Sequence, residues 1–445
     1  MTVITRFAPS PTGLLHVGNV RTALVNYLFT KNKGGKFMLR MDDTDLVRSK
    51  VEYADAIQED LKWLGLNWDI FARQSDRLDR YEEVKNQLIA IGRLYPCYEK
   101  PEELEFKRKL QLGRGVPPIY DRAALKLTPE KKAEYEADGR KPHYRFMLKD
   151  EKIEWNDEVR GTLTFEGKNL SDPILVREDG TMTYILSSVI DDIDFAITNI
   201  IRGEDHISNT AIQVQIFAAL GAKPPVFAHT ALISTKDAKI SKREGGFDIR
   251  HLREDGFEPM AICSLFSKLG TSDSVEARTN LDVLAGEFDI KKFSRSPANY
   301  DQEDLLRINH KLLNLISFDE VKVKLEELGL KDVTRDFWEA ARPNINKLPE
   351  IKEWWDMCYS PLTPVIEDST FLSEAAEVLP TGNWDITTWQ SWTKAVQEKT
   401  GKKGKDLFMP LRKAITGMEH GPELKILLPL IGRDKVLARL AGKVA

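Results

Sequence analysis

Cysteine is scarce in this chain, with three in 445 residues at positions 97, 263 and 358. So few, so widely spaced, supply neither a disulfide framework nor a thiolate cluster, and they suit a reducing cytosol. Long apolar runs are missing too. No stretch approaches the ~18 uninterrupted apolar residues of a membrane span. Met1-Thr-Val-Ile-Thr-Arg6 lacks the charged start and apolar core of a signal peptide. Nor is there an excess of positive charge. With a net charge of −4, any RNA contact must come from local basic patches. Internal repeats and low-complexity tracts are absent. What remains is globular composition, 42% hydrophobic and 30% charged, in a chain long enough for two to four domains. The expectation is a soluble cytoplasmic protein.

The most informative stretch runs from Arg6 to Asn19. An apolar strand (Val3 to Ala8) passes through a Pro/Gly turn into a helix predicted over Val17 to Lys31, with Val20, Leu24, Tyr27 and Leu28 at helical spacing. Backbone N–H groups and the positive helix end can there face a phosphate. Gly13 and Gly18 remove side chains where backbone must approach a ligand, and His16 can donate to an anionic oxygen. A second strand, Lys36 to Met41, ends in Asp42-Asp-Thr-Asp45, where open α/β sheets bind their ligands. The same acids can equally cap the helix predicted over Val51 to Leu64, Asp45 above all. Ser75 reads as the cap of a helix reaching Gly92. Beyond the Asp179-Gly180 turn, Thr181 to Ser188 carries strand signals, and a strand is predicted from Phe195 to Ile201, ending in Arg202-Gly-Glu-Asp-His206. Far downstream, Lys239-Ile-Ser-Lys-Arg243 offers two mobile ammonium groups, with Gly245 and Gly246 behind them suiting a loop that closes over a polyphosphate.

Arg6-Phe-Ala-Pro-Ser-Pro-Thr-Gly with His16-Val-Gly-Asn19 resembles the HIGH signature of class I aminoacyl-tRNA synthetases, in its glutamyl form. Lys239-Ile-Ser-Lys-Arg243, about 220 residues on, resembles the partner KMSKS signature. The chain is similar to the bacterial-type glutamyl-tRNA synthetases over essentially its whole length. That resemblance implies an α/β multidomain protein: a Rossmann-type nucleotide-binding fold with an α/β insertion, followed by an all-α anticodon-binding bundle. It implies a catalytic first half over 1–98, an acceptor-stem-binding insertion over 99–179 and a catalytic second half over 180–235. A KMSKS-type loop and stem-contact region over 236–310 and a helical anticodon domain over 311–445 complete the organisation.

The resemblance also implies residue roles. Arg6, Ala8, Ser10, Asp42, Tyr184, Ser188 and Arg202 would bind glutamate, with Arg202 and Arg6 on the γ-carboxylate and Tyr184 closing the pocket. His16, Gly18, Asn19, Asp205, His206, Lys239 and Lys242 would bind ATP, and His16, Lys239 and Lys242 would act in catalysis. Two positions depart from the family. Asp42 replaces a Glu that binds the α-ammonium, so the backbone moves in or a water bridges the gap. Ser188 stands where Asn is common. Around Tyr95-Pro-Cys-Tyr-Glu99 many relatives carry a Cys-rich zinc module. With Cys97 alone, no zinc is expected. From Lys399 to Lys413 six basic residues face one acid, so Lys402, Lys403, Lys405 and Arg412 are candidate tRNA contacts.

The chemistry implied is two in-line displacements. Glutamate attacks the α-phosphate of ATP, carried with Mg²⁺, and the 3′-terminal ribose of tRNA-Glu then takes the glutamyl group. Neither step needs a protein nucleophile, and no Ser-His-Asp or Cys-His arrangement stands out. The nearest alternative charges tRNA-Gln, alone or as well. A small-molecule adenylyltransferase would need neither the helical C-terminal part nor the basic loop, and a catalytically dead tRNA-binding paralogue would not need the charged site. The family expectation is a monomer.

Overall fold

Phe37-Met-Leu-Arg-Met41 is a nearly continuous apolar run, the pattern of a strand covered on both faces. It becomes the centre of a parallel three-stranded sheet. The structure, a computed structural model, describes residues 2–45, 47–235 and 248–445. These fall into two units, one of residues to Glu254 with Pro259–Leu305, the other of Asp255–Glu258 with Leu306–Ala445.

In the first unit the chain runs β1 (Ile4–Phe7), α1 (Val17–Asn32), β2 (Lys36–Met41), α2 (Val51–Trp63), β3 (Ile70–Arg73), α3 (Leu78–Ala90) and β4 (Leu94–Cys97). Then come α4 (Pro101–Gly113), α5 (Pro129–Ala137), β5 (His143–Phe146), β6 (Lys152–Asp157), β7 (Gly161–Glu166) and β8 (Ile174–Val176). They are followed by α6 (Tyr184–Asp194), β9 (Asn199–Gly203), α7 (Ile207–Ala219) and β10 (Val226–Thr230). Strands β1, β2 and β3 are parallel. Strand β10 pairs in parallel with β9 on one side and β6 on the other, and β7 closes that sheet as an antiparallel hairpin. Strands β4, β5 and β8 form a separate antiparallel sheet.

The two parallel sheets meet where β9 lies beside β1. Thr198 N donates to Ile4 O at 2.9 Å, and Thr198 Oγ1 accepts from Ile4 N at 2.9 Å. From β1 the chain winds through α1 to β2, while from β9 it winds the other way through α7 to β10. Strand order therefore reverses between β1 and β9, and a crevice opens at their carboxyl ends. Helix α1 underpins the seam. Val20, Ala23, Leu24, Val25 and Leu28 are buried, and Asn26 Nδ2 donates to Ile201 O of β9 at 2.9 Å.

Three local expectations change. Thr181 to Ser188 enters α6 rather than a strand. Leu186, Val189, Ile190 and Ile193 recur at helical spacing, the first three buried, and this period outweighs the β-branched and aromatic content. Because α6 runs to Asp194, the next strand starts only at Asn199, after Ala196 turns the chain at φ 52°. Ser75 is no helix cap. It lies in a short 3₁₀ turn before α3, its N and Oγ both donating at 2.9 Å to Asp43.

The second unit is helical, with no strand among its described residues. Its core is built on fully buried Trp338 and Trp392, whose indole N–H groups donate to Ile316 O and Ala375 O. The α/β-plus-helical architecture implied by the sequence is the one observed. No helix among the described residues is long and apolar enough to cross a membrane. Among them no group of three or more His, Cys, Asp or Glu is placed to hold a metal ion.

Candidate active site

A cleft of about 880 Å³ opens at the carboxyl ends of β1 and β9. Its wall contains Arg6, Ala8, Ser10, His16, Gly18 and Asn19 from the β1–α1 connection and Asp42 from the end of β2. Tyr184 and Ser188 of α6, Arg202 of β9, and Asp205 and His206 just beyond complete it. Every described residue singled out above for glutamate or ATP thus lines one space. Lys239 and Lys242 lie outside the described residues. The chain enters that segment from a short strand, Ile233–Thr235, paired in parallel with Ala298–Tyr300. It returns at Asp248, bridged to His16, with Ile249 N donating to Leu15 O at 3.0 Å.

His16 caps α1. Its Nδ1 accepts from Gly18 N at 3.1 Å and Asn19 N at 3.4 Å. Both partners are donors, so Nδ1 holds the lone pair and Nε2 the proton. Burial lowers the ring's pKa below its ordinary 6.5, favouring this neutral form. A Cβ at Gly18 would sit 3.1 Å from the imidazole, so glycine there is what lets the ring fold back over the helix start.

The electrostatic centre is larger than the sequence suggested. Arg40, fully buried in β2, donates to both oxygens of Asp42 at 2.7 and 3.1 Å, to Asp192 Oδ1 at 3.0 Å and to Ser188 Oγ at 3.1 Å. Asp192 also takes Arg6, Nε at 3.0 Å and Nη2 at 3.4 Å. Its neighbour Asp191 takes Gln74, Arg77 and Tyr81. Both departures from the family, Asp42 and Ser188, therefore adjoin one guanidinium. Burial pushes the Asp42 carboxyl up, against the pull of Arg40. Arg40, Asp191 and Asp192 were missed in sequence. A charged residue inside an apolar strand run, and two acids on the buried side of a helix, are the signals that mark them, because buried charges occur paired.

Arg202 is different. Its Nη2 donates to Thr210 Oγ1 at 2.6 Å and Gln213 Oε1 at 2.7 Å, and its Nε lies 3.4 Å from His229 Nε2. All three acceptors are neutral. The guanidinium is buried, no carboxylate among the described residues lies against it, and desolvation depresses its pKa. Nearby, Tyr184 OH is 2.8 Å from His206 Nδ1, whose ring burial also holds neutral. In the helical unit Lys402 binds Asp368 at 2.7 Å and Arg412 donates to Pro422 O, whereas Lys403 and Lys405 are exposed.

A split parallel sheet with a capped helix start at its switch point has the geometry at which open α/β folds bind nucleotides. The family profile described as tRNA synthetases class I (E and Q), catalytic domain, matches residues 2–307, and an anticodon binding domain matches 311–443. The chain belongs to that family, the class I glutamyl- and glutaminyl-type tRNA synthetases. It is 55% identical over 445 residues to glutamate–tRNA ligase 1 of Rickettsia felis, covering 99% of both chains. It is also 55% identical over 443 residues to glutamate–tRNA ligase 2 of Rickettsia canadensis, covering 98% of this chain and 99% of that one. The crystal structure of a glutamate tRNA ligase from Elizabethkingia meningosepticum, in complex with its amino acid, matches at a TM-score of 0.85 and 26% identity over 99% of this chain and 98% of that one.

Proposed function

We propose that this protein ligates L-glutamate to the 3′ end of tRNA-Glu through a glutamyl-adenylate, releasing AMP and pyrophosphate. The observation that carries the reading is Arg202, a buried cation held by neutral acceptors and facing the cleft. A carboxylate arriving there meets charge that no acid among the described residues has cancelled, whereas an amide cannot match it. Arg6, which shares Asp192 with Arg40, orients the same γ-carboxylate with part of its charge already offset. Asp42 spends one face on Arg40 and keeps acceptor capacity for the α-ammonium. His16 presents Nε2–H to the phosphate oxygens of ATP, beside the amides of Gly18 and Asn19. Asp205 and His206 border the nucleoside. Lys239 and Lys242 would neutralise the departing pyrophosphate, a role supported by the return of the chain at Asp248, which is bridged to His16. Mg²⁺ arrives with ATP. Residues 99–179 would meet the acceptor stem, 236–310 would supply the KMSKS-type loop and stem contacts, and 311–445 would meet the anticodon. The enzyme would work as a cytoplasmic monomer.

A second reading is that tRNA-Gln is charged, alone or as well. Relatives bearing the names ligase 1 and ligase 2 keep this paralogue reading open. The deciding experiment is ATP-dependent attachment of labelled glutamate to purified tRNA-Glu and tRNA-Gln, each tested alone at one salt concentration. Charging of tRNA-Glu only supports the first reading, and any charging of tRNA-Gln the second. Charging of neither would overturn both.

A further inference from the structure

Behind Arg202 lies a row of side chains that the reaction as described does not use. Parallel pairing places His229 of β10 opposite Arg202 of β9, and β6, on the far side of β10, ends at Asp157. His229 is fully buried, its ring stacked on Phe227. The hydrogen atoms in this row are fixed by what each group can do. His229 Nε2 lies 2.8 Å from the Thr210 hydroxyl, which can donate or accept, and 3.4 Å from Arg202 Nε–H, which can only donate, so Nε2 is the acceptor. The ring proton then sits on Nδ1 and is donated to Asp157 Oδ2 at 2.5 Å. Asp157 Oδ1 in turn accepts from the backbone N–H of His229 at 3.1 Å, Val159 at 3.1 Å and Arg160 at 3.0 Å. Backbone donors thus pin the carboxylate in place, and its charge meets Arg202 only across an imidazole.

We propose that His229, locked in one tautomer by Asp157, is a positioning residue that sets the carboxylate selectivity of Arg202. It aims the guanidinium without neutralising it. A carboxylate in its place would cancel the charge the substrate needs, as Asp192 does in part for Arg6 and Arg40. An N–H in its place would push Nε away. The inference rests on the reading of Arg202 as the γ-carboxylate contact, and the test separates the two.

The test is glutamate-dependent ATP–pyrophosphate exchange by the full chain with tRNA-Glu present. His229→Ala is expected to raise the glutamate KM roughly ten- to hundredfold, as the loss of a hydrogen bond to a charged group does. The ATP KM stays in place. His229→Gln, whose side-chain carbonyl can accept from Nε, recovers most of the loss, and it keeps the test open where the alanine variant fails to fold. Asp157→Asn, which releases the tautomer, behaves like the alanine variant and narrows the preference for glutamate over glutamine. The proposal is overturned by an unchanged glutamate KM in His229→Ala and Asp157→Asn. Equal rises in the ATP and glutamate KM, or a glutamine variant no better than alanine, overturn it too. Arg202→Gln is the control for the underlying reading. A raised glutamate KM there with normal His229 variants sinks this inference alone, whereas an unchanged KM sinks the carboxylate assignment itself.

Discussion

Nδ1 of His16 lies 3.1 Å from the amide nitrogen of Gly18, so one side chain both caps α1 and aims a proton into the cleft. The two roles separate by mutation. His16→Asn keeps a capping oxygen and should hold stability while adenylate formation collapses. His16→Ala should lose both, at a stability cost of about 1 kcal/mol. Urea unfolding and pyrophosphate exchange read the two effects independently.

The same residue gives a pH dependence with a definite sign. Burial lowers its pKa in the folded state relative to the ordinary 6.5. Below that value the unfolded chain binds more protons than the folded one, so the cap's contribution is present above pH 6.5 and is lost as pH falls through the window beneath it. In His16→Asn that part of the acid-side loss should be missing from a pH series of unfolding curves.

Arg40 joins Asp42, Asp192 and Ser188 in one buried group. Arg40→Met strands the buried Asp42 carboxylate, leaves Asp192 to Arg6 alone, and is expected to cost about 3–5 kcal/mol. Ser188→Ala leaves a single donor unsatisfied, for about 1–3 kcal/mol. Urea denaturation of the three proteins checks the ranking, and a methionine variant as stable as the parent would refute the network's importance.

Because Arg202 is buried among neutral acceptors, glutamate should stabilise the protein and glutamine should not. At a free concentration ~100-fold above Kd the gain is about 2.7 kcal/mol. Differential scanning fluorimetry with each amino acid measures it. Arg202→Met should abolish the shift.

Lys403 and Lys405 are exposed and, among the described residues, form no ion pair, while Lys402 is tied to Asp368 and packed over Phe371. Replacing Lys403 and Lys405 together by alanine should weaken tRNA binding. It should also flatten its salt dependence by roughly 0.7–0.9 for each lost phosphate contact. Lys402→Ala should instead show in thermal stability, with the salt slope nearly unchanged.

What could be read in the sequence was local. The strand, turn and helix from β1 into α1 are contiguous, so their period and punctuation reveal them, and the residues they carry line the cleft. Motif resemblance added Tyr184, Ser188 and Arg202. The pairing of Arg40 with Asp192 was not legible, because 152 positions separate them and no spacing rule spans a sheet. The tautomer of His229 depends on Asp157, 72 positions away, for the same reason. Helix α6 was missed because β-branched and aromatic residues masked an apolar period that only burial against the sheet makes decisive.

The seam between β1 and β9 also sets a timetable. Ile4 finds Thr198 only after 194 more residues have been made. At ~5–20 residues per second of synthesis, the first strand waits roughly ten to forty seconds for its neighbour. During that interval one edge of β1 stays open to unwanted strand pairing. A nascent chain stalled before β9 emerges carries His16 and Arg6 but has no cleft, so birth of the enzyme on the ribosome coincides with arrival of its second half-sheet.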